Sequence, residues 1–151
     1  MLNRVIADKR RRWPGSRIEF DVEPGLPPVT GDEASIELVL RNLISNALKY
    51  GSPSGVVAVT ASRNDDAVAV RVTDEGPGIE DGQIERLFDL FYRSDDARRR
   101  AQGAGIGLFV VRALVESAGG RVWAANRPGG GAEFGFELPA YRDVDDLAGL
   151  E

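Results

Sequence analysis

The sequence contains no histidine and no cysteine among its 151 residues. Without histidine there is no imidazole to act as a general base or a metal ligand, so a Ser-His-Asp triad is excluded. Without cysteine there are no disulfides, thiolate nucleophiles or cysteine-based zinc sites. Any metal ion bound by this chain must therefore be a hard cation held by oxygen atoms.

Other absences narrow the class of protein. No apolar run approaches the roughly 18 residues that a membrane helix needs, and no signal-peptide pattern opens the chain. A net charge of −5 argues against a broad nucleic-acid-binding surface, so we expect no nucleic-acid partner. The 42% hydrophobic and 28% charged content is typical of one globular domain. We expect that domain at 1–139, followed by an acidic tail at 140–151.

Hydrophobic periodicity and turn residues predict a mixture of helices and strands. The expected helices cover 32–50 with Asp32 as N-cap, 84–91 and 107–118, while 2–12 is either a short helix or the end of a linker. The expected strands cover 17–22, 56–62, 67–74, 121–125 and 132–138. Strands grouped with helices on one side predict an α+β fold, a two-layer sandwich with a mixed sheet.

The helix predicted at 32–50 carries two asparagines one turn apart. At about 100° per residue, Asn42, Asn46 and Lys49 share a stripe beside the apolar face. The apolar face itself consists of Ile36, Val39, Leu40, Leu43 and Ala47, and the solvent face of Glu37, Arg41 and Ser45. Amides at the edge of a core can lend their oxygens to Mg²⁺, and a lysine favours anions. The alternative is an ordinary polar flank.

Asp74 continues the apolar face of the strand predicted at 67–74. A carboxylate in that position is costly unless it is paired, so it is expected at the mouth of a pocket. There it could accept a hydrogen bond from a ligand's amine, such as that of adenine. Gly76 and Gly78 would let the backbone approach a flat ring closely. The alternative is that Asp74 caps its own turn.

A second glycine cluster, GAGIGL, opens the helix predicted at 107–118. The unpaired N–H groups and positive dipole of a helix start suit phosphates. No strand precedes the cluster as in a dinucleotide-binding fold, and the Lys-Ser/Thr ending of a P-loop is missing. A flexible hinge would explain the glycines equally well.

Taken together and in order, five segments resemble the N, G1, F, G2 and G3 boxes of the catalytic ATP-binding domain of bacterial sensor histidine kinases. These segments are NLISNALKYG, DEGPGI, LFDLFYRSD, GAGIGL and GGGAEFGFELP, all within 36–139. The resemblance implies the Bergerat fold, in which helices pack on one side of a mixed, mostly antiparallel sheet. It also implies ATP and Mg²⁺ as cofactors, and a cytoplasmic domain whose parent protein is anchored in the inner membrane.

The resemblance also implies roles for individual residues. On the asparagine helix, Asn46 would coordinate Mg²⁺ with support from Asn42, Lys49 would meet phosphates or ribose, and Tyr50 would lie against the nucleotide. Asp74 would bind the adenine amine in a slot shaped by Gly76, Gly78 and Ile79. The triphosphate would be cradled by Gly103, Gly105, Gly107 and Leu108, beneath a lid at 93–103. The F-box would comprise Leu87, Phe88 and Phe91.

For the chemistry, the resemblance implies that Asn42, Lys49 and a lid arginine act on the phosphates. The arginine that reaches the γ-phosphate would be Arg93, Arg98 or Arg100, and Arg98 is the one assigned to catalysis. The chain departs from the family pattern at Ala104 and Ala132, where threonine or serine is common, and at Gln102, where another glycine is expected. Two possible hydroxyl contacts are therefore missing.

Position 42 separates the branches of this superfamily. ATP-hydrolysing relatives carry a glutamate base there, whereas Asn42 cannot take a proton at neutral pH. The expected acceptor is therefore a histidine on a separate dimerisation domain, with a response regulator downstream, while the chain itself is a monomer that does not autophosphorylate. The alternatives are a serine kinase of the anti-sigma type and a degenerate domain that binds partners but no nucleotide.

Overall fold

The computed structural model describes residues 1–89 and 107–141. Within these residues the chain forms three α-helices, which are α1 (Leu2–Arg12), α2 (Glu33–Tyr50) and α3 (Gly107–Ser117). It forms five strands, which are β1 (Arg17–Val22), β2 (Val56–Asn64), β3 (Ala67–Thr73), β4 (Arg121–Asn126) and β5 (Ala132–Pro139). None of the described helices is long and apolar enough to cross a membrane.

The five strands form one sheet in the order β1-β2-β3-β5-β4. β1 runs parallel to β2, and every other neighbouring pair is antiparallel. Apolar side chains on one face of the sheet form a continuous core with the helices, including Val59, Val72, Phe134, Leu43 and Val111. The predicted α+β sandwich with a mixed, mostly antiparallel sheet is confirmed.

Helix α2 lies at the centre of this core. Its N-cap is Asp32, whose carboxylate accepts a hydrogen bond from the Ser35 N–H at 2.8 Å, as predicted. Four of the predicted apolar residues are buried, together with Ile44, which the predicted stripe does not include, and the fifth, Ile36, packs against the core while only partly buried. The helix ends before Gly51, where a Cβ atom would lie 2.5 Å from the Ala47 carbonyl oxygen. A glycine is therefore needed where α2 meets the next segment.

The helix predicted at 84–91 is wrong over its described part. The structure shows only a short 3₁₀ turn, Ile84–Arg86, followed by irregular turns as far as Asp89. Leu87 and Phe88 still pack on the core, which explains their apolar spacing. A segment this short forms too few hydrogen bonds to offset the entropy lost when its backbone is ordered as an α-helix. The spacing of two or three apolar residues also fits a 3₁₀ turn as well as it fits an α-helix.

The face of α2 assigned to solvent is covered by α1 instead. Val5 and Ile6 of α1 are buried in the core, which establishes 2–12 as a packed helix. The polar residues of the two helices then meet as pairs: Arg4 with Glu37 at 2.6 Å, Arg41 with Asp8 at 2.6 Å, and Lys9 with Ser45 at 2.6 Å. The assignment of Glu37, Arg41 and Ser45 to solvent is therefore wrong.

These pairs shift the protonation of the groups involved. The hydrogen bond from Arg41 lowers the pKa of the Asp8 carboxyl below its ordinary value of 3.8. The hydrogen bond from Arg4 lowers the pKa of Glu37 below 4.5 in the same way. Burial, followed by the nearby charge of Arg41, lowers the pKa of Lys9. The two carboxylates therefore stabilise the contact between α1 and α2 only while they are ionised.

We expect an Asp8→Asn variant to be less stable than the wild type at neutral pH. Because the folded-state pKa of Asp8 lies below its unfolded value, its contribution is present above that unfolded value and is lost as the pH falls through the folded one. The difference in thermal unfolding temperature between wild type and variant should be constant above about pH 5 and should shrink below about pH 3.5. Circular dichroism melts across this range would measure it.

The control is Asp21→Asn, which removes an exposed carboxylate on β1. It should leave the unfolding temperature nearly unchanged at every pH. If the difference caused by Asp8→Asn did not depend on pH, the ion pair with Arg41 would not be the source of its contribution.

Candidate functional site

The site is built around Asp74, a buried residue that is only 4% exposed. It follows β3 directly, where the alternation of the strand directs it toward the core, as predicted. Its Oδ1 atom accepts hydrogen bonds from the Gly76 N–H at 2.9 Å and the Ala132 N–H at 3.2 Å. The carboxylate therefore caps its own turn and also joins that turn to β5.

The other carboxylate oxygen of Asp74 is differently placed. No hydrogen bond from residues 1–89 or 107–141 reaches Oδ2. Because a buried carboxylate is costly unless its oxygens find donors, this atom suits a donor supplied by a ligand. The two readings of the sequence are thus compatible: one oxygen holds the turn and the other is available.

Several glycines around Asp74 are required by close packing. A Cβ atom on Gly51 would lie 3.0 Å from the Asp74 Cβ, and one on Gly76 would lie 2.7 Å from the Gly51 Cα. A Cβ atom on Gly131 would lie 2.0 Å from the Asp74 carbonyl oxygen, and Gly131 has φ +89°. The end of α2, the turn after β3 and the start of β5 therefore meet at one point with only backbone between them.

The end of β4 and the turn after it contribute two residues, Asn126 and Arg127, that the sequence patterns do not single out. The Asn126 side chain accepts a hydrogen bond from the Ile79 N–H at 2.6 Å and donates one to the Ile79 carbonyl at 2.9 Å. Arg127 donates to the Asp74 carbonyl at 2.8 Å. In the sequence, the glycines of NRPGGG predict a turn, but they do not predict which residues that turn contacts.

The asparagine stripe of α2 forms a second side of the site. Asn42 is half-buried, donates to the Leu38 carbonyl at 3.1 Å, and has its Oδ1 3.2 Å from the position that a Cβ of Gly107 would occupy. Asn46, one turn later, is half-buried, and no described residue forms a hydrogen bond with its amide. Lys49 is exposed in the last turn and Tyr50 is half-buried beside Gly76.

α2 therefore connects the start of α3 to the Asp74 turn. Gly51 lies nine positions after Asn42, so the two ends of this side of the site lie about 13 Å apart along the axis of α2. Gly107 is the first described residue of α3, and Leu108 packs against the core. Of the other residues assigned to the site by resemblance, Phe91, Arg93, Arg98, Arg100, Gly103 and Gly105 lie outside the described residues, as do Gln102 and Ala104.

The chemistry of this site differs between its two ends. At the Asp74 end, a buried carboxylate oxygen and a glycine-lined turn suit a flat group that carries a hydrogen-bond donor. At the α3 end, the helix start and the nearby asparagines suit anionic oxygens. The described residues contain no cluster of three acidic side chains that could hold a metal alone. A metal ion here would need oxygen ligands from two sources, the side-chain amides of the protein and the phosphates of a bound ligand.

Residues 31–142 match the model of the family described as histidine kinase-, DNA gyrase B- and HSP90-like ATPases. The chain belongs to this family. Adaptive-response sensory kinase SasA of Parasynechococcus marenigrum (strain WH8102) is 38% identical over 141 residues, or 91% of this chain and 37% of that protein. The resemblance to sensor histidine kinases is therefore confirmed, and the protein is an ATP-binding catalytic domain of that kind.

Solved structures of histidine kinases share its fold. The mycobacterial sensor histidine kinase MprB superposes with a TM-score of 0.80 at 28% identity, with 93% of each chain covered. Full-length ShkA in complex with AMPPNP superposes with a TM-score of 0.77 at 33% identity, covering 94% of this chain and 30% of that one. The chain spans 22% to 37% of the lengths of eight curated kinase relatives.

We expect Gly131→Ala to disrupt the kinase domain more than Gly129→Ala does. Both glycines have nearly the same φ, +89° and +88°, so both alanines would carry the cost of a left-handed backbone, about 1–2 kcal/mol. Only at Gly131 does the new Cβ meet an obstacle, the Asp74 carbonyl oxygen, whereas Gly129 has nothing within 4 Å. Gly131→Ala should therefore cost about 1–3 kcal/mol more in the free energy of unfolding.

Urea denaturation of the two variants would measure this difference. Gly129→Ala serves as the control because it changes the same turn and the same backbone conformation. Equal losses for the two variants would show that the contact between Gly131 and Asp74 does not constrain the site.

Proposed function

We propose that this domain binds Mg-ATP and donates the γ-phosphoryl group to a histidine on a separate dimerisation domain of its parent kinase. The observation that carries the proposal is Asp74, a buried carboxylate with one oxygen held by two main-chain N–H groups and the other unbonded by any described residue. That arrangement is a preorganised acceptor for an amino group. The family supplies the nucleotide, and Asp74 supplies the selectivity for adenine.

Selectivity follows from what each purine presents to this carboxylate. Adenine carries an exocyclic amine that donates to Oδ2, whereas guanine carries a carbonyl oxygen at the same ring position. That oxygen would face a buried negative charge, which is costly. ATP is therefore favoured over GTP by roughly the value of a charged hydrogen bond, about 1.5–3 kcal/mol. Gly76, Gly78 and Ile79 would form the adjoining edge of the purine slot.

The phosphates would lie toward α3. Asn46 would give its amide oxygen to Mg²⁺, and Asn42 would support the metal or the phosphates from one turn earlier. The half-buried Asn46 amide fits this role because no described residue uses it. Mg²⁺ held there would neutralise part of the negative charge of the phosphates. Lys49 adds a positive charge at the end of α2, and Gly107 with Leu108 would form the described part of the phosphate cradle.

Transfer needs an acceptor that is already nucleophilic. Asn42 cannot remove a proton at neutral pH, so a hydroxyl acceptor would lack a base at this position. A neutral imidazole offers a lone pair without help. Its nitrogen would bond to the γ-phosphorus while the bond to the β,γ-bridging oxygen breaks, and ADP leaves with that electron pair. The domain would contribute positioning and charge neutralisation, including a lid arginine for which Arg98 is the candidate.

The sequence of this chain contains no histidine to act as that acceptor. The acceptor would therefore come from a dimerisation and phosphoacceptor domain of the parent, with a response regulator receiving the phosphoryl group afterwards. We propose residues 1–139 as the catalytic unit, monomeric by itself, within the cytoplasmic part of a membrane-anchored kinase. ShkA, which has been solved with AMPPNP, supports the nucleotide part of the proposal by its similarity.

We expect Asp74→Asn to weaken ATP binding by about 10- to 150-fold and to abolish the preference for ATP over GTP. The amide keeps the size of the side chain but removes the charge that attracts the adenine amine and repels the guanine carbonyl. Calorimetric titration of wild type and variant with ATP and with GTP, in the presence of Mg²⁺, would measure both effects.

Asp81→Asn is the matched control, since Asp81 is an exposed aspartate in the segment after the same turn. It removes the same charge and should preserve the ATP affinity within about twofold. An Asp74→Asn variant that still preferred ATP would contradict the assignment of Asp74 to adenine.

We expect the chain incubated alone with γ-labelled ATP and Mg²⁺ to carry no stable label, because it contains no histidine. Adding the parent kinase's dimerisation domain should place acid-labile, base-stable label on that domain. Asn46→Ala should reduce the transfer and raise the Mg²⁺ concentration that it requires, whereas Asn64→Ala, at the far end of β2, should do neither. Label retained on this chain itself would contradict the proposed acceptor.

A further inference from the structure

The turn after β3 is held at both of its ends by the hairpin between β4 and β5. At the Asp74 end there are three types of contact: the Asp74 N–H donates to the Ala132 carbonyl at 3.0 Å, the Ala132 N–H donates to Asp74 Oδ1, and Arg127 donates to the Asp74 carbonyl. Loss of any one of them leaves two others. This end of the turn is therefore held redundantly.

The Ile79 end is held differently. Within residues 1–89 and 107–141, the only hydrogen bonds to the Ile79 main chain are the two from Asn126, at 2.6 Å and 2.9 Å. One side-chain amide thus satisfies both the N–H and the carbonyl of Ile79, as a neighbouring strand would. Ile79 also packs on the core, which limits its distance from the sheet but does not fix its main-chain direction.

Asn126 also packs against Gly78, the residue that precedes Ile79. Gly78 has φ +81°, and a Cβ atom on it would lie 2.6 Å from the Asn126 Oδ1. Gly78 is therefore pressed against the amide on one side. The distance of the Gly78–Ile79 main chain from Asp74 is set by Asn126 at one end and by the β3–β5 pairing at the other.

We infer that Asn126 is a positioning residue for purine discrimination: it holds Gly78 and Ile79 in place opposite Asp74 without contacting the nucleotide itself. The inference rests on the proposed adenine site. Asp74 discriminates between purines only when the ring is held at a fixed position relative to its free oxygen. Loss of the two hydrogen bonds between Asn126 and Ile79 should therefore allow other ring positions. Binding through the phosphates should remain, since α3 and the asparagines of α2 are unaffected.

The experiment compares Asn126→Ala with the wild type in calorimetric titrations with ATP, GTP and tripolyphosphate, all with Mg²⁺. The ratio of ATP to GTP affinity should fall by about fivefold to tenfold in the variant, corresponding to the two hydrogen bonds lost. The affinity for tripolyphosphate should stay unchanged. Because Asn126 is exposed, the variant should remain folded at the assay temperature, which a thermal melt would verify.

Asn64→Ala is the matched control. Asn64 is likewise an exposed asparagine at the end of a strand, and its amide donates to Glu137 at 2.9 Å at the opposite end of the sheet. This variant loses a comparable hydrogen bond but should keep the wild-type ratio. If Asn126→Ala does not fold, Asn126→Asp decides the question: it keeps the size and the acceptor for the Ile79 N–H, but it places a carboxylate oxygen against the Ile79 carbonyl. The added charge affects ATP and GTP alike, so the loss of the donor should still lower the ratio.

The possible results distinguish a failure of the role inferred for Asn126 from a failure of the proposed adenine site at Asp74. A wild-type protein that does not prefer ATP would overturn the proposed adenine site itself. A wild-type preference that persists unchanged in both Asn126 variants would overturn only the inference. A parallel loss of ATP, GTP and tripolyphosphate affinity would also overturn it, since it would reveal a general structural role.

Discussion

Asp74 accepts a hydrogen bond from Ala132, 58 residues further along the chain, with the same oxygen that caps its own turn. A buried carboxylate without such donors would be strongly unfavourable. The main-chain N–H groups of Gly76 and Ala132 compensate part of that cost through hydrogen bonds to one carboxylate oxygen. The remaining oxygen is therefore left for a ligand's donor, while the first oxygen joins the turn after β3 to the start of β5.

The glycines near Asp74 follow from the same constraint. Gly51, Gly76 and Gly131 bring three segments so close that a methyl group on any one would meet backbone or the Asp74 side chain. From the sequence, the glycines of this turn were explained by the approach of a flat ring. The structure adds a second reason, since Gly76 and Gly78 are also required for packing against α2 and Asn126. One local composition thus serves both the fold and the proposed ligand.

Much of this arrangement can be predicted from local sequence patterns. The N-cap of α2, its apolar stripe, the alternation of β3 and the position of Asp74 all depend on neighbours within a few residues. The assignment of Glu37, Arg41 and Ser45 to solvent is wrong because a row of polar residues has the same period whether it faces water or a polar face of another helix. Only tertiary packing reveals that Glu37 and Arg41 face Arg4 and Asp8.

The contacts of Asn126 and Arg127 could not be predicted for a different reason. Asn126 contacts a residue 47 positions earlier in the chain, and Arg127 contacts one 53 positions earlier. Neither asparagine nor arginine is unusual in or beside a hairpin turn. The family resemblance assigned roles to residues that would touch the nucleotide and therefore passed over those that hold them. The complete site is thus composed of a predictable layer, formed by α2 and Asp74, and a supporting layer that depends on the sheet order β3-β5-β4.

The central claim is that the free oxygen of Asp74 recognises the amino group of adenine. The most direct test uses the unmodified protein and compares ATP with purine riboside triphosphate, which lacks only that amino group. The account predicts that removing the group weakens binding by about 10- to 150-fold, the value of a hydrogen bond to a charged acceptor. Equal affinities for the two nucleotides would contradict it, because the base would then be bound without help from Asp74.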